Sequence, residues 1–271
     1  MNQAASDALV LTERDGAVLT ITLNRAKARN SLSRALMGAL QTALAGAAAD
    51  PAVKVVILAA NGPVFSAGHD LKEMTAARAD RETMHGFYGE TFAQCSDLMQ
   101  AIVALPQPVI AQVQGMATAA GCQLVATCDL AVASETARFA TPGVNIGLFC
   151  STPMVALSRN VPRKAAMEML LTGEAIDAAT ALRIGLVNRV VPAYALEAET
   201  RRLAATIAQK SRVVVGIGKK AFYDQVERPL GQAYAMMSEV MTLNMLEADA
   251  EEGIGAFVEK RSPRWQDDPE P

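Results

Sequence analysis

Two glycine-containing loops constrain this chain more than any other feature of its sequence. The first reads FSAGHDL at residues 65–71 and the second reads GMATAAGCQ at residues 115–123. Each follows an apolar, β-branched run and leads into a segment with helical spacing. Small residues let the backbone of such a loop approach a ligand closely, and they leave N–H groups free where the next helix starts. Two such N–H groups directed at one point form an oxyanion hole, which stabilises negative charge on an oxygen atom.

The remaining pattern alternates strands and helices through the first half of the chain. Continuous β-branched runs at residues 53–60 and 108–113 predict buried strands, and the alternation at 18–23 predicts another. We expect Asn30 or Ser31 to cap a helix that runs to about residue 49. Sheets covered by helices, and therefore an α/β fold, follow from this alternation. Other predicted segments are a helix at 81–105, a helix from the second loop to 128, strands at 129–134, 137–141 and 185–191, and mainly helices after 152.

Composition excludes several classes of function. The 271 residues carry a net charge of −3, which disfavours a nucleic-acid surface over the whole molecule. No apolar run approaches the roughly 20 residues that cross a bilayer, and residues 1–7 lack the features of a signal peptide. The four cysteines show no metal-binding or disulfide spacing. We therefore expect a cytoplasmic protein with reduced thiols and without a metal, membrane or nucleic-acid partner.

The order and wording of the two loops resemble those of the enoyl-CoA hydratase/isomerase family, or crotonase superfamily, and the resemblance extends from about residue 17 to about residue 261. It implies a ClpP/crotonase-like α/β fold, in which repeated ββα units form a superhelix and a carboxy-terminal helical region mediates trimer formation. On this basis we expect a core with an acyl-CoA site at residues 1–200, and a helical oligomerisation region and tail at 201–271. A homotrimer, or a hexamer of two trimers, is the expected assembly.

The resemblance also implies roles for particular residues. The backbone N–H groups of His69 and Ala120 would be the two oxyanion donors, and the His69 side chain need take no part. CoA would enter as part of the thioester substrate, so no separate cofactor is expected, and its phosphates favour cationic neighbours. The expected CoA contacts are Lys27, Ala28, Arg29, Ala67, His69, Asp70, Leu71 and Lys72, with Phe257 and Lys260 supplied by a carboxy-terminal helix.

Two positions depart from the family pattern. Hydratases of this family carry glutamates where this chain has Gln123 and Gly143, and a pair of carboxylates supplies the base and the acid of hydration. Glutamine has no proton to exchange, and glycine has no side chain. Residues 118–126, 139–145 and 147–153 resemble more narrowly a subgroup of enoyl-CoA hydratase domain-containing proteins, which also lacks both glutamates. Strong hydratase activity is therefore not expected.

The sequence leaves the reaction open. Cys150 stands near a predicted helix start, which favours a thiolate base or nucleophile, but cysteine is also among the most commonly buried residues. One hypothesis is an enzyme: a modest hydratase or isomerase, or a thioester hydrolase that uses Cys150 or a water held by Gln123. Another is a protein that binds acyl-CoA without turnover. An RNA-associated or assembly role is a third, which the sparse basic residues around Lys219 and Lys220 support poorly.

Overall fold

Ten strands and eleven α-helices lie in residues 8–266, the part of the chain described by this computed structural model. Residues 1–7, used above to argue against a signal peptide, and residues 267–271, the end of the predicted tail, lie outside the described residues. The strands are β1 (Val10–Asp15), β2 (Val18–Leu23), β3 (Val55–Ala60), β4 (Val64–Ser66), β5 (Val109–Val113), β6 (Met116–Thr118), β7 (Leu130–Ser134), β8 (Arg138–Ala140), β9 (Ile176–Asp177) and β10 (Arg189–Val191).

The helices surround these strands and dominate after residue 152. Short 3-10 turns also occur, and one of them, Pro142–Ile146, holds position 143. The helices are α1 (Arg34–Ala49), α2 (Leu71–Ala76), α3 (Met84–Ala104), α4 (Ala120–Thr127), α5 (Pro153–Asn160), α6 (Arg163–Thr172), α7 (Ala178–Arg183), α8 (Leu196–Ala208), α9 (Arg212–Val226), α10 (Leu230–Met245) and α11 (Ala248–Glu259).

Two sheets position the glycine loops. The larger sheet has the order β1-β2-β3-β5-β7-β10 and the smaller has the order β4-β6-β8-β9. Only the β1–β2 and β8–β9 pairs are antiparallel in these two sheets. Both faces of β3 are covered, because Val56 and Leu58 belong to the main core and Val55 and Ile57 pack in a second cluster with Leu203 of α8. This double burial explains the continuous apolar run in the sequence.

The first long helix, α1, starts a few residues later than the sequence predicts. Ser33, not Asn30 or Ser31, is the N-cap of α1, and its hydroxyl accepts a hydrogen bond from the N–H of Leu36 at 3.2 Å. Asn30 has a φ of 49° and is fully buried, and its amide nitrogen donates to the carbonyl oxygens of Asn61 and Val64. Asn30 therefore links two loops by hydrogen bonds instead of capping a helix.

The carboxy-terminal helices continue directly from the sheet region. Residue 200, the predicted boundary between core and oligomerisation region, lies inside α8, which packs on β3, β5 and β7. The two-part division stays a prediction. Within residues 8–266, none of the helices combines the length and apolar character that crossing a membrane requires.

Candidate functional site

The two glycine loops meet where the parallel strands β4 and β6 end. Gly68 has a φ of +79°, and a Cβ at this position would lie 2.9 Å from the carbonyl oxygen of Thr118 and 3.1 Å from the backbone nitrogen of Ala120. A Cβ on Gly121 would lie 2.3 Å from the carbonyl oxygen of Ser66. Close backbone contact therefore requires glycine at both positions, once in each loop.

The backbone N–H of His69 is free to bind a ligand. Leu32 runs parallel to this part of the first loop: its N–H donates to the carbonyl oxygen of Gly68 at 2.7 Å, and its own carbonyl accepts from the N–H of Asp70 at 3.3 Å. This ladder skips His69, whose N–H has no acceptor within residues 8–266. The neighbouring strand thus fixes the backbone of the loop while leaving one donor available.

The N–H of Ala120 is the second donor without an acceptor in the part of the chain that the structure describes. Ala120 is the first residue of α4, and the first N–H groups of a helix have no acceptor inside that helix. Ala119 before it has a φ of 50° and a ψ of −120°, an unusual conformation for a residue with a side chain. Its N–H donates to the carbonyl oxygen of Ala140 at 2.9 Å, which holds the turn in place. Strained backbone of this kind is concentrated at ligand-binding sites.

The two segments expected to contact CoA lie side by side. The guanidinium of Arg25 is 2.6 Å from the carboxylate of Asp70, and the N–H of Ala67 donates to the carbonyl oxygen of Arg29 at 3.0 Å. Burial alone would raise the pKa of Asp70, but the hydrogen bond and charge of Arg25 and two N–H groups of α2 lower it overall. Asp70 thus joins the segments and caps α2.

The other predicted CoA contacts differ in their placement. Lys27, Arg29, Leu71 and Lys72 are exposed around the joined segments, and Ala28 and Ala67 are half-buried among them. Phe257 and Lys260 are exposed as well, but they lie at the end of α11, which packs against α9 and α10. Their participation stays a prediction.

Gln123 lies close to the two donors and is almost fully buried, with 4% of its surface exposed. Its side-chain oxygen is 4.0 Å from the thiol sulfur of Cys95, so the amide faces α3. The amide nitrogen makes no hydrogen bond within residues 8–266. The first of the two glutamate positions therefore holds a neutral side chain with a free donor.

Gly143 does not leave an empty space where the second glutamate would stand. A Cβ at this position would lie 2.9 Å from the carbonyl oxygen of Leu148 and 3.0 Å from the sulfur of Cys150. Residues 148–150 therefore fold back over the position that a longer side chain would occupy. Because one of the contacts is backbone, a glutamate at 143 fits only if this turn moves.

The surroundings of Cys150 oppose its use as a thiolate. The residue is 7% exposed, and burial raises the pKa of its thiol, with a backbone hydrogen bond from Gly143 opposing the shift only in part. A nucleophilic cysteine needs the reverse shift. Burial likewise raises the pKa of Cys95 and of Cys122 to about 12. No group of three or more histidine, cysteine, aspartate or glutamate residues within the described chain could hold a metal ion.

The His69 ring is a feature that the sequence did not reveal. Both ring nitrogens are buried and make no hydrogen bond within residues 8–266, and the ring packs edge-on against Phe92 with 5.3 Å between centroids. Burial lowers the pKa of the imidazole, and the nearby Leu32 carbonyl opposes this only partly. The hydroxyls of Thr118 and Thr141, near the ends of β6 and β8, are likewise buried without partners. The only sequence signal was a histidine directly after the loop glycine.

Comparisons with known proteins show similarity over most of the chain. The sequence model of the enoyl-CoA hydratase/isomerase family matches residues 13–268. Mitochondrial enoyl-CoA hydratase domain-containing protein 3 of Mus musculus is 49% identical over 257 residues, which cover 95% of this chain and 84% of that protein. Its Homo sapiens counterpart is 51% identical over 252 residues, which cover 93% of this chain and 82% of that protein.

Solved structures match over nearly the whole chain. An enoyl-CoA hydratase from Mycobacterium smegmatis has a TM-score of 0.91 and 53% identity, covering 96% of this chain and 99% of that one. The crystal structure of human enoyl coenzyme A hydratase domain-containing protein 3 has a TM-score of 0.91 and 49% identity, covering 95% of this chain and 100% of that one. The expectation of a cytoplasmic location is contradicted, because the relatives from mouse, rat, Xenopus laevis and human are all named as mitochondrial.

Proposed function

Because this chain belongs to the enoyl-CoA hydratase/isomerase family and has the crotonase fold, we propose that it binds an acyl-CoA thioester and stabilises negative charge on the thioester oxygen. One observation carries the proposal: the free N–H groups of His69 and Ala120 lie on two loops that touch through Gly68. Preorganised donors of this kind typically contribute about 3 kcal/mol each to stabilising the charge that develops in a reaction.

The joined segments beside the first loop support a binding site for the CoA portion. Lys27, Arg29 and Lys72 place three exposed cationic groups around the Arg25–Asp70 ion pair. CoA carries a diphosphate and a ribose phosphate, and charge-assisted hydrogen bonds favour such a pairing. A protein that binds acyl-CoA in this way would act in fatty-acid or related acyl-CoA metabolism, and we propose that wider role.

The lack of a carboxylate at positions 123 and 143 limits the reactions that we propose. Neither Gln123 nor Gly143 can exchange a proton, so hydration by the usual pair of glutamates is not part of the proposal. The raised pKa of Cys150 also weakens a thioester hydrolase that depends on its thiolate, and leaves a water held by Gln123 as the hydrolytic alternative. The same absence of carboxylates favours a second candidate function, binding of acyl-CoA without turnover.

The carboxy-terminal helices support self-association. Large apolar side chains are exposed there, and a cleft of about 460 Å³ lies between α9, α10 and α11. Large exposed apolar patches typically mark interaction sites. A homotrimer, or a hexamer of two trimers, would cover it. The most exposed members of this surface are Leu230, Tyr234, Leu246, Phe257 and Val258.

A comparison of two ligands tests the role of the thioester oxygen. Butyryl-CoA has this oxygen, whereas the thioether S-butyl-CoA lacks it and is otherwise alike. We expect butyryl-CoA to bind about 5- to 150-fold more tightly by calorimetry, because a net hydrogen bond contributes about 0.5–1.5 kcal/mol and two donors are available. Equal affinities would show that the two N–H groups do not hold the carbonyl.

A matched substitution separates the two parts of the site. Lys72→Met should weaken both ligands by the same factor, since the CoA phosphates are common to them and the carbonyl is not. Failure of both ligands to bind the unsubstituted protein would refute the acyl-CoA site itself.

A further inference from the structure

The direction of the His69 N–H depends on the two peptide groups that flank Gly68. The carbonyl oxygen of Gly68 accepts a hydrogen bond from the N–H of Leu32 at 2.7 Å. The N–H and C=O of a trans peptide point in opposite directions, so the N–H of His69 points away from Leu32. Because glycine has the freest backbone of all residues, the direction is fixed only if the peptide before Gly68 is fixed as well.

Ser66 fixes this preceding peptide through its side chain. Its hydroxyl accepts a hydrogen bond from the N–H of Gly68 at 3.3 Å and donates one to the carbonyl oxygen of Asn30 at 2.9 Å. Ser66 is fully buried, so solvent does not compete for either hydrogen bond. No other side chain within residues 8–266 forms a hydrogen bond with the backbone of residues 67–69.

Asn30 is a firm anchor for the Ser66 hydroxyl. It is fully buried, and its side-chain oxygen accepts a hydrogen bond from the N–H of Arg25 at 2.9 Å. Its amide nitrogen donates to the carbonyl oxygens of Asn61 at 2.9 Å and of Val64 at 2.8 Å. Three hydrogen bonds to backbone groups outside the first glycine loop therefore hold the residue whose carbonyl orients Ser66.

Ser66 also lies against the second glycine loop. A Cβ on Gly121 would be 2.3 Å from the carbonyl oxygen and 2.8 Å from the Cβ of Ser66, and Gly121 directly follows the donor Ala120. The N–H of Ala120 has helix α4 and the hydrogen bond from Ala119 to Ala140 to fix it. Ser66 thus lies between the two donors, and its hydroxyl acts on the donor that belongs to no helix.

We propose that Ser66 is a positioning residue of this site: its hydroxyl fixes the peptide before Gly68 and thereby directs the N–H of His69 towards the thioester oxygen. This inference rests on the proposed function, because the thioester must be bound between the two loops. It requires neither contact between Ser66 and the ligand nor proton transfer by the hydroxyl. The effect of Ser66 is therefore confined to ligands that carry the thioester oxygen.

Ser66→Ala tests the inference with butyryl-CoA and S-butyl-CoA. Without the hydroxyl, the peptide before Gly68 can rotate and the N–H of His69 loses its fixed direction. We expect the ratio of the two affinities, measured by calorimetry, to fall about 2- to 12-fold, which is the contribution of one hydrogen bond. The affinity for S-butyl-CoA should be unchanged, because this ligand has no oxygen for the donor.

Ser134→Ala is the matched control for the loss of a buried hydroxyl. Ser134 and Ser66 are both fully buried, and each is the last residue of its strand. The hydroxyl of Ser134 likewise accepts from the N–H two residues further on, that of Thr136, at 3.2 Å, and it pairs with the Thr136 hydroxyl at 2.9 Å. Ser134 lies at the end of β7, outside both glycine loops, so its substitution should leave the affinity ratio unchanged.

Ser66→Cys repeats the test in case alanine disturbs folding. A thiol has a similar shape but is a weak donor and acceptor, so the affinity ratio should fall again. An unchanged ratio in either folded Ser66 variant would overturn the inference, and so would an equal fall in Ser134→Ala. Equal affinities of the two ligands for the unsubstituted protein, or binding of neither, would instead refute the proposed function.

Discussion

Replacing Lys219 with methionine is expected to lower the free energy of unfolding by about 3–5 kcal/mol, the range for removing one partner of a buried ion pair. The side chain is only 6% exposed, and its ammonium group is 2.7 Å from the carboxylate of Asp129. It also donates to the carbonyl oxygens of Ile102 at 2.9 Å and of Gln107 at 3.0 Å. Methionine fills a similar volume but leaves three acceptors without their cation.

The effect should be large because Asp129 cannot move away. Its carboxylate also accepts hydrogen bonds from the N–H of Val109 at 2.7 Å and from the hydroxyl of Tyr223 at 2.9 Å. These contacts tie α9 to the start of β5, so the variant keeps a largely buried negative charge without its cation. The cluster joins the carboxy-terminal helices to the sheet region.

Urea unfolding of Lys219→Met and Lys220→Met measures this directly. Lys220 is 78% exposed and pairs with Asp224 one turn along the helix, so its substitution should change stability by less than about 1 kcal/mol. Similar losses in the two variants would contradict the role assigned to the buried cluster. Only one of the two adjacent lysines noted in the sequence is therefore available as surface charge.

Gly121→Ala is expected to weaken butyryl-CoA binding at least about tenfold and to lower stability by about 1–3 kcal/mol. The added methyl group would lie 2.3 Å from the carbonyl oxygen and 2.8 Å from the Cβ of Ser66. Relief requires α4 to move away from β4, and the N–H of Ala120 moves with it. A displacement of about 1 Å is enough to reduce the rate of an enzyme about 100-fold.

Gly46→Ala is the matched control for the added methyl group. Gly46 is exposed in α1, and no atom lies within 4 Å of the position of its Cβ. Alanine should stabilise this helix by about 0.5–1 kcal/mol and leave binding unchanged. If Gly121→Ala bound butyryl-CoA as tightly as the unsubstituted protein, the close packing of the two loops would not be what positions the donors.

Much of the fold could be predicted from local pattern and resemblance. The apolar runs that became β3 and β5 are buried on both faces, which gives a clear sequence signal. By contrast, β1 is mostly exposed on the edge of its sheet, and β4 and β6 are three residues each, so neither periodicity nor length reveals them. The crotonase fold is confirmed by the family match and the solved structures.

The site was predictable only in part, because its chemistry depends on contacts between distant segments. The sequences of the two loops predict two backbone donors. No local pattern, however, shows that residues 148–150 occupy the space beside Gly143. Nor does it show that the ring nitrogens of His69 are enclosed without a hydrogen bond within residues 8–266. The helix start that favoured a thiolate at Cys150 is outweighed by burial, which is a tertiary effect. Composition also gave the wrong location, since it carries no direct information on the compartment.

The infrared carbonyl frequency of bound butyryl-CoA, labelled with carbon-13 at the thioester carbon, tests the central claim most directly. Hydrogen bonds from the N–H groups of His69 and Ala120 would polarise the carbonyl and weaken its double bond. We predict that the carbonyl stretching frequency is lower on the protein than in water. A frequency equal to or above that of free butyryl-CoA, measured with the ligand fully bound, would contradict an oxyanion hole between the two loops.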